Sequence, residues 1–134
     1  MLLQNEIFRH LSTHAGLAAL IQTAPDSARI YPVGQVAQGC LRPYISYQRI
    51  YERLGYTHSG VTETAEDRVQ FDCWADTLDA AYAVAAQLCD ALDNWSSPAI
   101  NRAFIVDKSD GYDEESKLSR VMVDTTIWNG LTAP

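Results

Sequence analysis

The sequence predicts an α+β domain, an antiparallel sheet of about four strands covered on one face by two main helices, in the order α-β-β-α-β-β. Three observations predict it. Leu3, Ile7 and Leu11 recur every fourth residue near the start, and an apolar stripe at three-and-four spacing runs from Leu78 to Leu92. Around 44–53, 69–74, 102–109 and 118–128 the chain instead carries β-branched and aromatic residues, most clearly in alternation. The 134 residues fit one domain, 1–134, with no internal repeat and no interdomain linker.

Residues 2–12 read as an amphipathic helix. Leu17, Leu20 and Ile21 predict a further helical turn, which Ala24-Pro25-Asp26-Ser27 ends. Ile30-Tyr31-Pro32-Val33 reads as a brief edge strand, because Pro32 has no N–H to give to a ladder. Gly34 to Pro43 reads as loop. Strands 44–53 and 69–74 are expected to pair as an antiparallel hairpin. The segment from Leu54 to Ala65 between them is too long and polar for a tight turn and reads as a functional loop. Thr77 is a good N-cap and Asp79 favours the positive end of a helix over 78–93, whose face is Leu78, Ala81, Tyr82, Ala85, Leu88, Cys89 and Leu92. Ser96-Ser97-Pro98 ends it. Strands 102–109 and 118–128 follow, joined by an acidic tip from Asp110 to Glu115.

Composition excludes several classes. A hydrophobic content of 47% supplies a self-sufficient core, so disulfides are not needed for stability. A net charge of -7 repels phosphate backbones and disfavours a general DNA-binding role. Met1 to Glu6 lacks the basic region of a signal peptide, and the longest strongly apolar run, 17–21, is too short to cross a bilayer; a soluble protein is expected, without a membrane partner. Cys40, Cys73 and Cys89 are odd in number and widely separated, which suits buried, reduced thiols.

No residue pattern points to catalysis. His10 and His14 share a helical spacing, but no third ligand follows, and solvated or capping histidines are expected rather than a metal site. The acidic run from Asp107 to Glu115 lacks the alternating ligands and terminal glutamate of a calcium loop. Nucleophile-elbow, phosphate-loop, dinucleotide and Cys-x-x-Cys motifs are absent. No cofactor, metal or catalytic residue is assigned, and the chain is not expected to be an enzyme.

Two features point instead to assembly. On the sheet face expected to lack helices, Tyr47, Arg49, Tyr51, Gln70, Asp72, Trp74, Met122 and Trp128 mix polar with large aromatic groups, as subunit interfaces do; packing under loops of the same chain is the other reading. Charge is also unevenly spread. Residues 1–51 are net +2, 52–68 net -2, 69–101 net -5 and 102–134 net -2. An acidic surface meeting the basic N-terminal part of a neighbouring copy would make a head-to-tail contact, which generates rings when the rotation closes; the other reading is a solvated helix face.

The order and spacing of these elements resemble a known family. The carriers are Leu2 to Leu11, Arg29-Ile30-Tyr31-Pro32, Pro43 to Arg49, Val69 to Ala75 and Arg120 to Trp128. Together they resemble the tail completion or tail terminator proteins of long-tailed bacteriophages and of phage-derived particles such as gene transfer agents. The resemblance implies a structural virion protein assembled in the host cytoplasm. It would form a homo-oligomeric ring, usually of six copies, at the head-proximal end of the tail tube. Its partners would be the tail tube protein and the head–tail connector or stopper, with DNA only as transiting cargo. On that reading Tyr56, His58, Thr62 and Glu63 of the long loop, with Tyr47, Arg49 and Trp74, are expected to contact the tube or a neighbouring subunit. Asp110, Asp113, Glu114 and Glu115 are expected to face the lumen or the connector. The alternatives are a head-side adaptor or stopper and, in a different class, a small-ligand-binding or enzymatic domain.

Overall fold

The computed structural model describes residues 3–22, 28–36, 39–57 and 60–130, with 55–57 and 60–63 described by backbone alone. Its elements are α1 (Leu3–Ser12), α2 (Ala15–Ile21), β1 (Ile30–Pro32), β2 (Tyr44–Thr57), β3 (Gly60–Ala75), α3 (Leu78–Leu92), β4 (Ile100–Asp113) and β5 (Leu118–Asn129). The α+β class and the two hairpins separated by a helix agree with the sequence. The sheet itself differs. It has five strands in the order β1-β2-β3-β5-β4, and β1 runs parallel to β2, so the sheet is mixed rather than wholly antiparallel. The long connection from Val33 to Pro43 returns the chain to the same end of the sheet, which a parallel neighbour requires.

Both hairpins are longer than alternation alone indicates. The expected loop from Leu54 to Ala65 is mostly strand, with Tyr56 opposite Val61 and Thr57 opposite Gly60. Because β5 ends where Asn129 meets Ala65, this outer part of the hairpin has no third strand beside it among the described residues. It is therefore under no demand for the alternating pattern of a half-buried strand. In the second hairpin Asp110 and Asp113 belong to β4, and only residues 114–117 turn. Lys117 takes the left-handed conformation there, with φ 62°.

One core joins the three helices to one sheet face. Leu3, Ile7 and Leu11 of α1, Leu17 and Ile21 of α2, and Ala81, Ala85, Leu88 and Leu92 of α3 meet Ile45, Phe71, Cys73, Val121, Val123 and Ile127. The α3 stripe is rotated from the expected one. Val84 and Ala91 are buried, whereas Leu78 and Tyr82 are exposed, because Tyr82 turns to the flank of β4 and its hydroxyl donates to Asp110 Oδ2. Cys73 is buried as expected; Cys40 and Cys89 are only partly covered, since one lies in the β1–β2 connection and the other on the groove-facing side of α3.

The caps follow from chemistry readable in the sequence. Thr77 Oγ1 accepts from Ala80 N at 3.2 Å and opens α3. Thr77→Ala is expected to cost about 1 kcal/mol, read as a lower denaturant midpoint at unchanged slope. His14 caps α2, its Nδ1 accepting from Leu17 N at 3.2 Å while Nε2 reaches Asp90 Oδ2 at 3.0 Å. His10 stacks on Trp95 at 4.3 Å between centroids and lies 2.6 Å from Ala91 O. The two histidines thus tie α1 and α2 to the end of α3. Among the described residues, no three His, Cys, Asp or Glu side chains gather as a metal site.

Candidate functional site

Of the four register shifts among the described strands, the two in mid-strand decide which side chains reach which face here. Across β2 and β3, Ile45 opposes Cys73, Tyr47 opposes Phe71 and Arg49 opposes Val69, all on the helix-covered side. The register then shifts between Arg49 and Tyr51, leaving Ile50 without a partner and turning Tyr51 to the open face. The same happens in β4 between Ile105 and Asp107, with Val106 as the extra residue. Tyr47 and Arg49 are therefore not on the open face with Trp74. Tyr47 is 9% exposed and its ring tilts against Phe71 at 5.8 Å, making it a core group.

The open face is a self-paired polar and aromatic surface. Trp74 Nε1 donates to Ser46 Oγ at 3.0 Å, its ring stacks on Tyr44 at 6.2 Å, and the Arg120 guanidinium lies 5.2 Å from its centroid. Gly111 opposes Arg120, and a Cβ there would stand 3.0 Å from Arg120 Nε, so a larger residue would require the Arg120 side chain to give by a few tenths of an ångström. In the middle, Arg68 meets Asp124 at 3.3 Å and Gln70 donates to Asp72 at 3.1 Å. Burial pushes the Asp72 carboxyl up from its ordinary value, against the pull of Gln70 and Arg120. Toward the hairpin arm, Tyr51 donates to Glu66 at 3.1 Å. Such a face can bind by shape and charge.

At the margin of the covered face lies a buried polar cluster that sequence reading does not anticipate. Asp67 and Asn129 are fully buried, and Asn129 Nδ2 donates to Asp67 Oδ2 at 2.6 Å. Arg49 Nε stands 3.1 Å from the other carboxylate oxygen as an ion pair without hydrogen-bond alignment. Burial drives the Asp67 carboxyl up, and Asn129 and Arg49 hold it back. Only pairing Ala65 with Asn129, far apart in sequence, encloses this aspartate.

Two grooves flank the helices. One, of about 380 Å³, lies between α1 and β2 and is lined by Leu3, Ile7, Pro32, Val33, Tyr47 and Arg49 among others. The other, of about 460 Å³, lies between α3 and β4 and includes Cys89, Asp90, Asp93 and Lys108. Burial raises the Cys89 thiol above its ordinary value, which Lys108 only partly opposes, so this thiol is not an activated nucleophile.

The remaining sequence-derived residues separate. Tyr56, Thr62 and Glu63 belong by backbone to the outer hairpin, and His58 lies outside the described residues. Asp110 faces α3 through Tyr82. Asp113 closes the turn, accepting from Ser116 N at 3.1 Å and Ser116 Oγ at 2.6 Å, and these bonds lower its carboxyl below the ordinary value. Glu114 pairs loosely with Lys117 at 3.9 Å, and Glu115 is exposed.

The sequence profile of the family described as "Tail completion protein gp17" matches residues 5–129. Among solved structures, a chain from the virion of a native gene transfer agent particle is similar, with a TM-score of 0.72 and 21% identity over 95% of this chain and 93% of that one. Comparison with curated protein sequences returns no match.

Proposed function

This chain belongs to the tail completion protein gp17 family, and from that premise we propose that it forms a ring at the head-proximal end of the tail tube. There it ends tube polymerisation, joins the tail to the head connector and lets DNA pass through its lumen. A structural role in a phage-type tail follows from the family itself. The single observation that carries the finer reading is that the family profile spans residues 5–129, nearly the whole of the domain. The charge supports it, since a lumen with net acidic walls repels a moving duplex instead of retaining it. The β2–β3 arm, reaching past the end of β5, is a suitable lever toward the tube or a neighbouring subunit. Tyr56, His58, Thr62 and Glu63 would act from that arm, and Arg49 and Trp74 from the surfaces nearer the body.

Electron microscopy of particles lacking the protein tests this reading. Tailless filled heads together with overlong free tubes are the expected result. Leaking heads with tails of normal length would assign the chain to a head-side stopper instead. The tip has its own test, which leaves Asp113 intact because it closes the turn. Glu114→Lys with Glu115→Lys is expected to change monomer stability by no more than about 0.5 kcal/mol, while the yield of DNA-delivering particles falls. Normal yield and delivery would remove the tip from the lumen or connector surface.

A further inference from the structure

The sheet has two open edges, and each is covered over a different half. On β2, β1 occupies the stretch from Ile45 to Tyr47, and Val33 N donates to Tyr47 O at 2.8 Å; from Gln48 onward the outer edge has no strand beside it among the described residues. On β4, the segment after α3 covers the beginning. Asn94 N donates to Ala103 O at 3.3 Å, and Arg102 binds Asn94 Oδ1 at 2.6 Å through Nη2. From Phe104 to Asp113 the outer edge of β4 is bare among the described residues.

Resting on the ring reading above, we infer that the bare half of β4 in one copy pairs antiparallel with the bare half of β2 in the next, joining neighbours through one continuous sheet. Direction permits it. Because β2, β3, β5 and β4 alternate, β4 and β2 run oppositely, and placing one beside the other continues the antiparallel order. Charge favours it as well. Residues 48–54 carry Arg49 and Arg53 against Glu52, net +1, and 105–113 carry Asp107, Asp110 and Asp113 against Lys108, net -2.

The exposed apolar residues fall in the same two stretches. The bulge residues Ile50 and Val106 are 49% and 46% exposed, where an edge built to resist pairing carries lysine or proline. Lys108 does not fill that role, since it opposes Val123 and lines the α3 groove. The covered halves also set the offset. With Ala103 and Tyr47 excluded, the longest overlap sets 104–113 against 48–57 and brings Phe104 beside Thr57 and Ser109 beside Glu52. Neighbours are thereby staggered along the strands, and stagger is what closure of a sheet requires.

Cysteine pairing tests the contact in a Cys40→Ser, Cys89→Ser background, assembled with tube protein. Chains carrying Glu52→Cys mixed with chains carrying Lys108→Cys or Ser109→Cys are expected to give disulfide-linked dimers. The two changes in one chain are expected to give a ladder, and each alone no cross-link. Ile50→Lys and Val106→Lys should each abolish the oligomer while the monomer keeps its melting temperature. Cross-linking of Glu52→Cys chains with themselves would mean a two-fold contact and overturn the inference. So would full assembly of both lysine variants with no mixed cross-link. If the unmodified protein forms no oligomer with tube protein, the ring reading itself falls, and this inference with it.

Discussion

Phe71→Ala is expected to destabilise the domain by about 3–5 kcal/mol, read as a large drop in denaturant midpoint with the slope unchanged. Phe71 lies on β3, between β2 and β5, is fully buried and meets the tilted ring of Tyr47. Truncation removes the transfer energy of the ring and leaves a cavity that strands held on both sides cannot collapse into. Domains of this kind have about 5–15 kcal/mol of net stability, so the loss is a large share of the total. Assembly would then fail through scarcity of folded chain, with no interface residue altered. A loss below about 1 kcal/mol would mean that the helix layer can close over the gap, contrary to the packing described.

Asn129→Ala is expected to cost about 2–4 kcal/mol near neutral pH, because it leaves the buried Asp67 carboxylate with Arg49 as its cationic partner and Glu52 acting against its charge. The dependence on pH identifies the cause. The Asp67 carboxyl is already raised above its ordinary value of 3.8, so its ionised form disfavours the folded state. Stability from this group is therefore gained as pH falls through the raised value, and levels off below 3.8. Losing Asn129 raises the folded value further, so the deficit of the variant is largest at neutral pH and shrinks on acidification. Urea unfolding at pH 7 and at pH 3.8, the ordinary value of the carboxyl, checks this. Adding Asp67→Asn to the variant should recover part of the loss at pH 7. A deficit that is the same at both pH values would assign the effect to lost packing of Asn129 and not to the carboxylate.

Much of the fold was legible because helices and half-buried strands write their periods locally. Leu3, Ile7 and Leu11 appear where spacing puts them, Thr77 caps α3, and Val121, Val123 and Ile127 face the core. Legibility failed where the period breaks. The single extra residue at Ile50 puts Tyr51, but not Tyr47 or Arg49, on the open face with Trp74, and nothing in Gln48-Arg49-Ile50-Tyr51 announces a bulge, so strict alternation groups all three together. Leu54 to Ala65 looked like a loop because a strand without a third neighbour needs no apolar alternation.

The candidate surfaces divide in the same way. By itself the sequence determined the α+β class, the two hairpins around a capped helix, the uneven charge and the lack of any known catalytic motif, since each depends on residue type and short spacing. Only the tertiary structure decided that β1 runs parallel to β2, that Asp67 is enclosed by Asn129, and that the bare halves of β2 and β4 lie diagonally across one sheet. Those outcomes depend on register between segments tens of residues apart. Register is fixed by the sum of packing over the whole sheet, which no local stretch of the chain records.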